Sequence, residues 1–199
     1  MLGSGAGSNF VAIADACAAG TLPAEVAIVL SDVADAGILR RAGERHIPAQ
    51  FIHPGRFRTR FDDPAEQSYV GALQAAKVDL VVLAGFMRVL KGSLLSAFAG
   101  RIINIHPSLL PAFPGLRAWE QAFNYGVRHT GCTVHFVDAG VDSGPVIGQT
   151  VVPVLENDSL DSLLQRIHDA EHELYPRCVA ALARGELEVR GRKVLWHKA

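Results

Sequence analysis

The stretch Asp79-Leu80-Val81-Val82-Leu83-Ala84-Gly85 decides the fold. Its apolar run is too short for a helix, shows no polar alternation and ends on a glycine. It therefore reads as a strand buried on both faces. Working outward, Glu25–Ser31, Ala49–His53 and Arg101–His106 share this texture, each nearly all apolar in its second half. The segments between them, Asn9–Ala19, Val33–Ala42, Pro64–Lys77 and Ser93–Phe98, carry helical patterns. Regular strand–helix alternation implies right-handed crossovers and an α/β fold with a doubly wound, mostly parallel sheet. Beyond Pro114, Gly131–Val137 and Val146–Val154 read as two strands forming an antiparallel or edge pair. A long C-terminal helix then runs from Asp158-Ser159 to about Arg184. With no linker, repeat or low-complexity segment, residues 1–199 read as a single domain.

In a doubly wound sheet the ligand crevice lies beyond the carboxyl ends of the strands. Gly7-Ser8-Asn9, Met87-Arg88 and Asn104–His106 all fall at that end. Asn104 and His106 alternate along an extended segment, so both side chains leave one face, and Pro107 stops the ladder just after them. An amide donor beside an imidazole suits a reacting carbonyl: one polarises the oxygen, the other moves a proton. Asp142, among the turn formers of Val141-Asp142-Ser143-Gly144-Pro145, is placed to meet that histidine. Taken singly, each of the three has a structural reading as a core histidine, a turn asparagine or loop punctuation. Their conjunction with a glycine loop points to an active site.

That loop, Gly3-Ser4-Gly5-Ala6-Gly7-Ser8-Asn9, is neither a dinucleotide fingerprint nor a triphosphate loop. Glycines ahead of a helix start bring N–H groups close to an anion, and a phosphomonoester is the fitting ligand. The alternative is a tight turn with a serine N-cap. Only Met1-Leu2 precedes the loop, so either the first strand is very short or the chain begins a few residues late.

Composition narrows the class. Hydrophobic residues at 49% and charged ones at 20% describe a globular chain, not a disordered one, and a net charge of −1 argues against a general nucleic-acid binder. Cys17, Cys132 and Cys178 are widely spaced and odd in number, as expected of free thiols in a reducing compartment. Leu80–Met87 is too short to span a bilayer and no secretory leader is visible, so a cytoplasmic protein without membrane partners is expected. No paired histidine spacing suggests a metal. His135 reads as a core or supporting residue, while His46, His53, His129 and His197 read as surface or loop positions.

Four blocks give the chain a resemblance to the folate-dependent phosphoribosylglycinamide formyltransferase family. They are Ser4–Asn9, Leu83-Ala84-Gly85-Phe86-Met87-Arg88-Val89-Leu90, Asn104-Ile105-His106-Pro107-Ser108-Leu109-Leu110-Pro111, and Gly131–Val137 with Val141–Ile147. The resemblance implies a Rossmann-like formyltransferase fold and formyl transfer from 10-formyltetrahydrofolate, as co-substrate, to the amine of glycinamide ribonucleotide. It implies Asn104, His106 and Asp142 as the catalytic trio. Gly7, Ser8 and Asn9 would bind the ribonucleotide phosphate, and Glu171 the ribose hydroxyls. His168 stands where relatives commonly offer Gln or Lys. Met87, Arg88, Val89, Leu90 and the loop Asp138, Ala139, Gly140, Val141, Asp142 would line the pterin pocket, with Asn104 beside them. Arg60 either faces the folate's glutamate tail or is simply solvated. The implied partners are small molecules only, for a monomer or homodimer.

Two other functions fit parts of this pattern. A formyltetrahydrofolate hydrolase shares the trio but needs no phosphate loop, and usually carries a regulatory domain ahead of the catalytic one. A non-catalytic folate- or phosphate-binding module would keep the loops without needing Asp142 beside His106. A methionyl-tRNA formyltransferase would need a basic face and a further RNA-binding domain.

Overall fold

The computed structural model describes residues 1–197. Its elements run α1 (Ser8–Ala18), β1 (Val29–Ser31), α2 (Gly37–Glu44), β2 (Ala49–Phe51), α3 (Asp63–Ala75), β3 (Val81–Leu83), α4 (Gly92–Ala97) and β4 (Ile102–His106). They continue with α5 (Ala118–Tyr125), β5 (His129–Phe136), β6 (Val146–Pro153), α6 (Leu160–Ala183), β7 (Leu187–Arg190) and β8 (Lys193–Trp196). Pairing is parallel for β1–β2 and β3–β4, then antiparallel for β4–β5 and β5–β6. The expected antiparallel pair is thus β5–β6, and it continues the same sheet. A hairpin, β7–β8, adds to β6 through one parallel residue pair.

Leu2 forms parallel bridges to Leu30 on one side and Leu83 on the other, joining the β1–β2 pair to the rest. Its N–H donates to the Val82 carbonyl at 2.9 Å and its carbonyl accepts from Ala84 N–H at 2.8 Å. On the other side Gly3 N–H donates to Leu30 and Leu30 N–H to Met1. Very few residues therefore do the work of a central strand and deliver the glycine loop at its carboxyl end.

Side chains alternate strictly across the sheet, as the pleat requires. Val81, Leu83 and Ile102 enter a core with Tyr69, Leu73 and Leu94 of α3 and α4. Val82, Ile103 and Ile105 enter the opposite core with Phe10 of α1 and Ile167 and Tyr175 of α6. The Tyr175 hydroxyl, wholly buried, donates at 2.7 Å to the Leu83 carbonyl and lies 3.2 Å from that of Ile103, tying α6 to two central strands. Helix α6 begins as the sequence indicates, with a reciprocal capping box between Ser159 and Ser162.

Several boundaries differ from the sequence reading, each for a local reason. β1 is confined to Val29–Ser31, where burial is complete. β2 is an exposed edge strand, so its apolar residues do not mark two-sided cover. α2 starts at Gly37 instead of Val33 because the intervening residues turn: the Ser31 hydroxyl accepts Val33 N–H, and the Asp32 carboxylate is taken by other loops. Helix α5 and the β7–β8 hairpin were not anticipated. The hairpin's signal was the alternation of Leu187–Arg190 and Lys193–Trp196 about Gly191, which has φ +61°.

Leu2 has no exposed surface. Truncating it opens a cavity between β1 and β3, so Leu2→Ala is expected to cost about 2–5 kcal/mol, measured by denaturant unfolding.

Candidate active site

The site is built on the register of β4 against β5. Asn104 lies opposite His135, and His106 opposite Thr133, so all four side chains share one face. Burial lowers the His135 pKa, which favours the neutral ring. Its Nδ1–H donates to the Phe136 carbonyl at 2.9 Å, which leaves Nε2 as an acceptor. Asn104 Nδ2 donates to that nitrogen at 3.3 Å. The tautomer of His135 thus fixes which way the Asn104 amide points. The sequence reading left His135 outside the trio; its only signal was the alternation of Thr133 and His135, matching that of Asn104 and His106.

His106 is 4% exposed and has oxygen acceptors at both ring nitrogens. Nδ1 lies 3.3 Å from Asp142 Oδ2, and Nε2 lies 2.9 Å from the Phe113 carbonyl. The Phe113 carbonyl takes the Nε2 hydrogen, and the Asp142 carboxylate stands on the other side of the ring at ion-pair distance. Asp142 adopts a left-handed backbone conformation at φ +50°, which turns its carboxylate back over the strand ends. Oδ2 also accepts Gly115 N–H at 2.8 Å. Oδ1 stands 3.8 Å from His135 Nε2, beyond hydrogen-bond reach, and so keeps acceptor capacity.

The glycine loop ends in Gly7, at φ +82°, as the N-cap of α1. No side chain caps this helix start, so the serine N-cap of the alternative reading is not formed and the first-turn N–H groups remain for another acceptor. The Asn9 amide is partly engaged on α6. Its Nδ2 donates at 2.8 Å to Glu171 Oε2, while the buried Asn9 Oδ1 has no protein partner among the described residues. Glu171 is 4% exposed, and burial pushes its carboxyl up to about 7 against the opposing bond from Asn9. One turn earlier on α6, burial and then His172 lower the His168 pKa.

These groups line one cleft of about 490 Å³. Gly7, Ser8, Asn9, Met87, Arg88, Val89, Leu90, Asn104, His106, Asp138, Gly140, Val141, Asp142, His168 and Glu171 all face it. The structure adds His135 from within the Gly131–Val137 block, and Gly115, Leu116, Arg117, Trp119 and Leu164 from outside the motifs. Two named residues are not in the wall. Ala139 lies outside it, and the exposed Arg60 stacks its guanidinium 4.1 Å over the Phe57 ring. The Arg88 guanidinium donates through Nε to Asp32 at 2.7 Å. Among the described residues no group of His, Cys, Asp and Glu could hold a metal ion. No described helix is long and apolar enough to cross a membrane.

Glu171 makes stability depend on pH with a definite sign. Its folded pKa lies above the unfolded 4.5, so the folded state binds the proton more tightly. Stability contributed by this group is full below 4.5, falls as pH rises to about 7 and is level beyond. Relative to wild type, Glu171→Gln is expected to remove a slope of about 3 kcal/mol across that window, read from denaturant midpoints at successive pH values.

Comparison with known proteins agrees with this geometry. The formyl transferase family matches residues 1–179. The phosphoribosylglycinamide formyltransferase of Bacillus subtilis is 42% identical over 193 residues, covering 97% of both chains. The trifunctional purine biosynthetic protein adenosine-3 of Drosophila melanogaster is 46% identical over 187 residues, 93% of this chain but only 14% of that longer protein. The crystal structure of glycinamide ribonucleotide transformylase 1 from Symbiobacterium toebii superimposes with a TM-score of 0.94 at 48% identity, covering 99% of this chain and 92% of that one. With its catalytic-end geometry, its sheet order and these likenesses in accord, the chain belongs to the formyl transferase family, among the phosphoribosylglycinamide formyltransferases.

Proposed function

We propose that this chain transfers the formyl group of 10-formyltetrahydrofolate to the amine of glycinamide ribonucleotide, a step of purine biosynthesis. The observation that carries the reading is one cleft bounded by Asn104, His106 and Asp142 at one place and by an uncapped glycine-loop helix start at another. A hydrolase would need no such second half. A mere binding module would need no carboxylate 3.3 Å from the His106 ring. The same reading makes the chain a single catalytic domain, monomeric or homodimeric, acting in the cytoplasm on small molecules and without a metal.

The roles follow from which atoms are already engaged. Asn104 spends one amide hydrogen on His135 and offers the other to the formyl oxygen as it becomes an oxyanion. His106, set between Asp142 and the Phe113 carbonyl, places its ring beside that oxyanion. Asp142 Oδ1 takes a proton from the attacking amine, directly or through one water. A proton returned to the departing folate nitrogen as its bond to the formyl carbon breaks leaves the formamide and tetrahydrofolate. Gly7 and Ser8 hold the ribonucleotide phosphate on main-chain N–H groups. Glu171, held by Asn9, receives the ribose hydroxyls. Met87 to Leu90 and Asp138 to Asp142 form the pterin wall.

Formyl transfer by purified protein should require the ribonucleotide, with little folate breakdown in its absence; acceptor-independent breakdown at the same rate would overturn the reading. Asp142→Asn keeps the side chain's size and should lower kcat by about two to four orders of magnitude with little change in Tm. Adding His106→Asn should cost little more, because the two act as one unit. For the phosphate loop, Gly7 is a poor probe, since a Cβ there would lie 2.8 Å from Ile38 Cα. A Cβ at Gly5 meets no protein atom within 4 Å, so Gly5→Val should raise KM for the ribonucleotide about tenfold at unchanged Tm.

A further inference from the structure

We propose that Ser4, Asp32 and Arg88 form a positioning network that holds the ribonucleotide and folate halves of the cleft in register. The inference rests on the two-substrate reading above. It begins with an ion pair: Arg88 Nε donates to Asp32 Oδ2 at 2.7 Å, with side chains only 11% and 5% exposed. The second carboxylate oxygen, Oδ1, accepts from the Ser4 hydroxyl at 2.5 Å. That hydroxyl in turn accepts Met87 N–H at 3.0 Å. Arg88 Nη1 donates to the Phe57 carbonyl at 2.7 Å and to that of Arg60 at 3.3 Å.

Each partner belongs to a different loop at the cleft. Ser4 opens the glycine loop, and its own N–H donates to the Gly85 carbonyl at 3.1 Å. Asp32 follows β1, Met87 and Arg88 form the folate-side wall, and Phe57 and Arg60 belong to the segment before α3. Neither Ser4 nor Asp32 is part of the cleft wall. They act through other residues and touch neither substrate.

Chemistry explains why these residue types are needed. A charge pair taken out of water contributes little net stability, and it is tolerated only when its remaining donors and acceptors are matched. Here both Asp32 oxygens are bonded, and the planar Arg88 fork reaches a carboxylate and two carbonyls together, which a lysine could not do. What the network supplies is geometry. One hydroxyl bridges a loop that holds phosphate and a loop that holds pterin, so a lesion there releases both.

The test is Ser4→Ala, with Ser4→Thr restoring the hydroxyl. Dissociation constants for glycinamide ribonucleotide and for tetrahydrofolate are measured separately by titration calorimetry, alongside Tm. Ser4→Ala should weaken both ligands about three- to thirtyfold, and Ser4→Thr should bring both back within about threefold of wild type. In the wild-type protein the Met87 amide should exchange slowly with solvent although the residue is 58% exposed. Weakening of only one ligand, unchanged constants for both, or free exchange at Met87 would overturn the network. The exchange measurement decides even if the alanine variant does not fold. Wild-type protein that binds both ligands yet transfers no formyl group would defeat the functional reading and leave this inference standing on its binding constants.

Discussion

Strand β4 is the constraint on which the site depends. It pairs parallel with β3 on one side and antiparallel with β5 on the other. A parallel neighbour ends at the same edge of the sheet, so the β3 loop carrying Met87 and Arg88 opens beside the carboxyl end of β4. An antiparallel neighbour instead brings side chains from within its span: Thr133 and His135 lie directly across from His106 and Asn104. In this register His135 sits against the Asn104 amide. The change of strand direction is therefore where the topology turns into chemistry.

Around β4 the buried polar groups are satisfied in an order that leaves specific atoms open. The carbonyl of Phe136 sets the His135 tautomer, and His135 then orients Asn104. Gly115 N–H and His106 share one oxygen of Asp142 and leave the other. Asn9 gives one amide hydrogen to Glu171 and keeps a buried carbonyl oxygen without a protein partner among the described residues. Desolvation raises the cost of every unpaired atom, so the few that remain mark where a ligand's donors and acceptors are expected.

The backbone at the cleft shows the same economy. Gly7 takes a left-handed conformation with Ile38 packed so close that a side chain is excluded, which brings the start of α1 down onto the loop. Asp142 takes one as well, without being glycine, and the turn aims its carboxylate at His106. Preorganised donors and charges of this kind act at the transition state without reorganising during the reaction.

The alternation of Asn104 and His106, the turn residues around Asp142 and the texture of Asp79–Gly85 were local signals. Spacing along the chain settles which face a residue leaves, so the sequence alone located the crevice, the two central strands and most of the residues that face it. It could not settle what lies across a strand or behind a loop. Whether His135 is core or support depends on β5 running antiparallel in one register, and a shift of one residue would turn it to the other face. Arg88 reads as a wall residue, and only the fold shows that Asp32, 56 residues distant in sequence, holds its guanidinium. Met1-Leu2 reads as a fragment of a strand until its hydrogen bonds to both neighbours make it a central one. In each case the deciding contact is non-local, and only folding brings its two halves together.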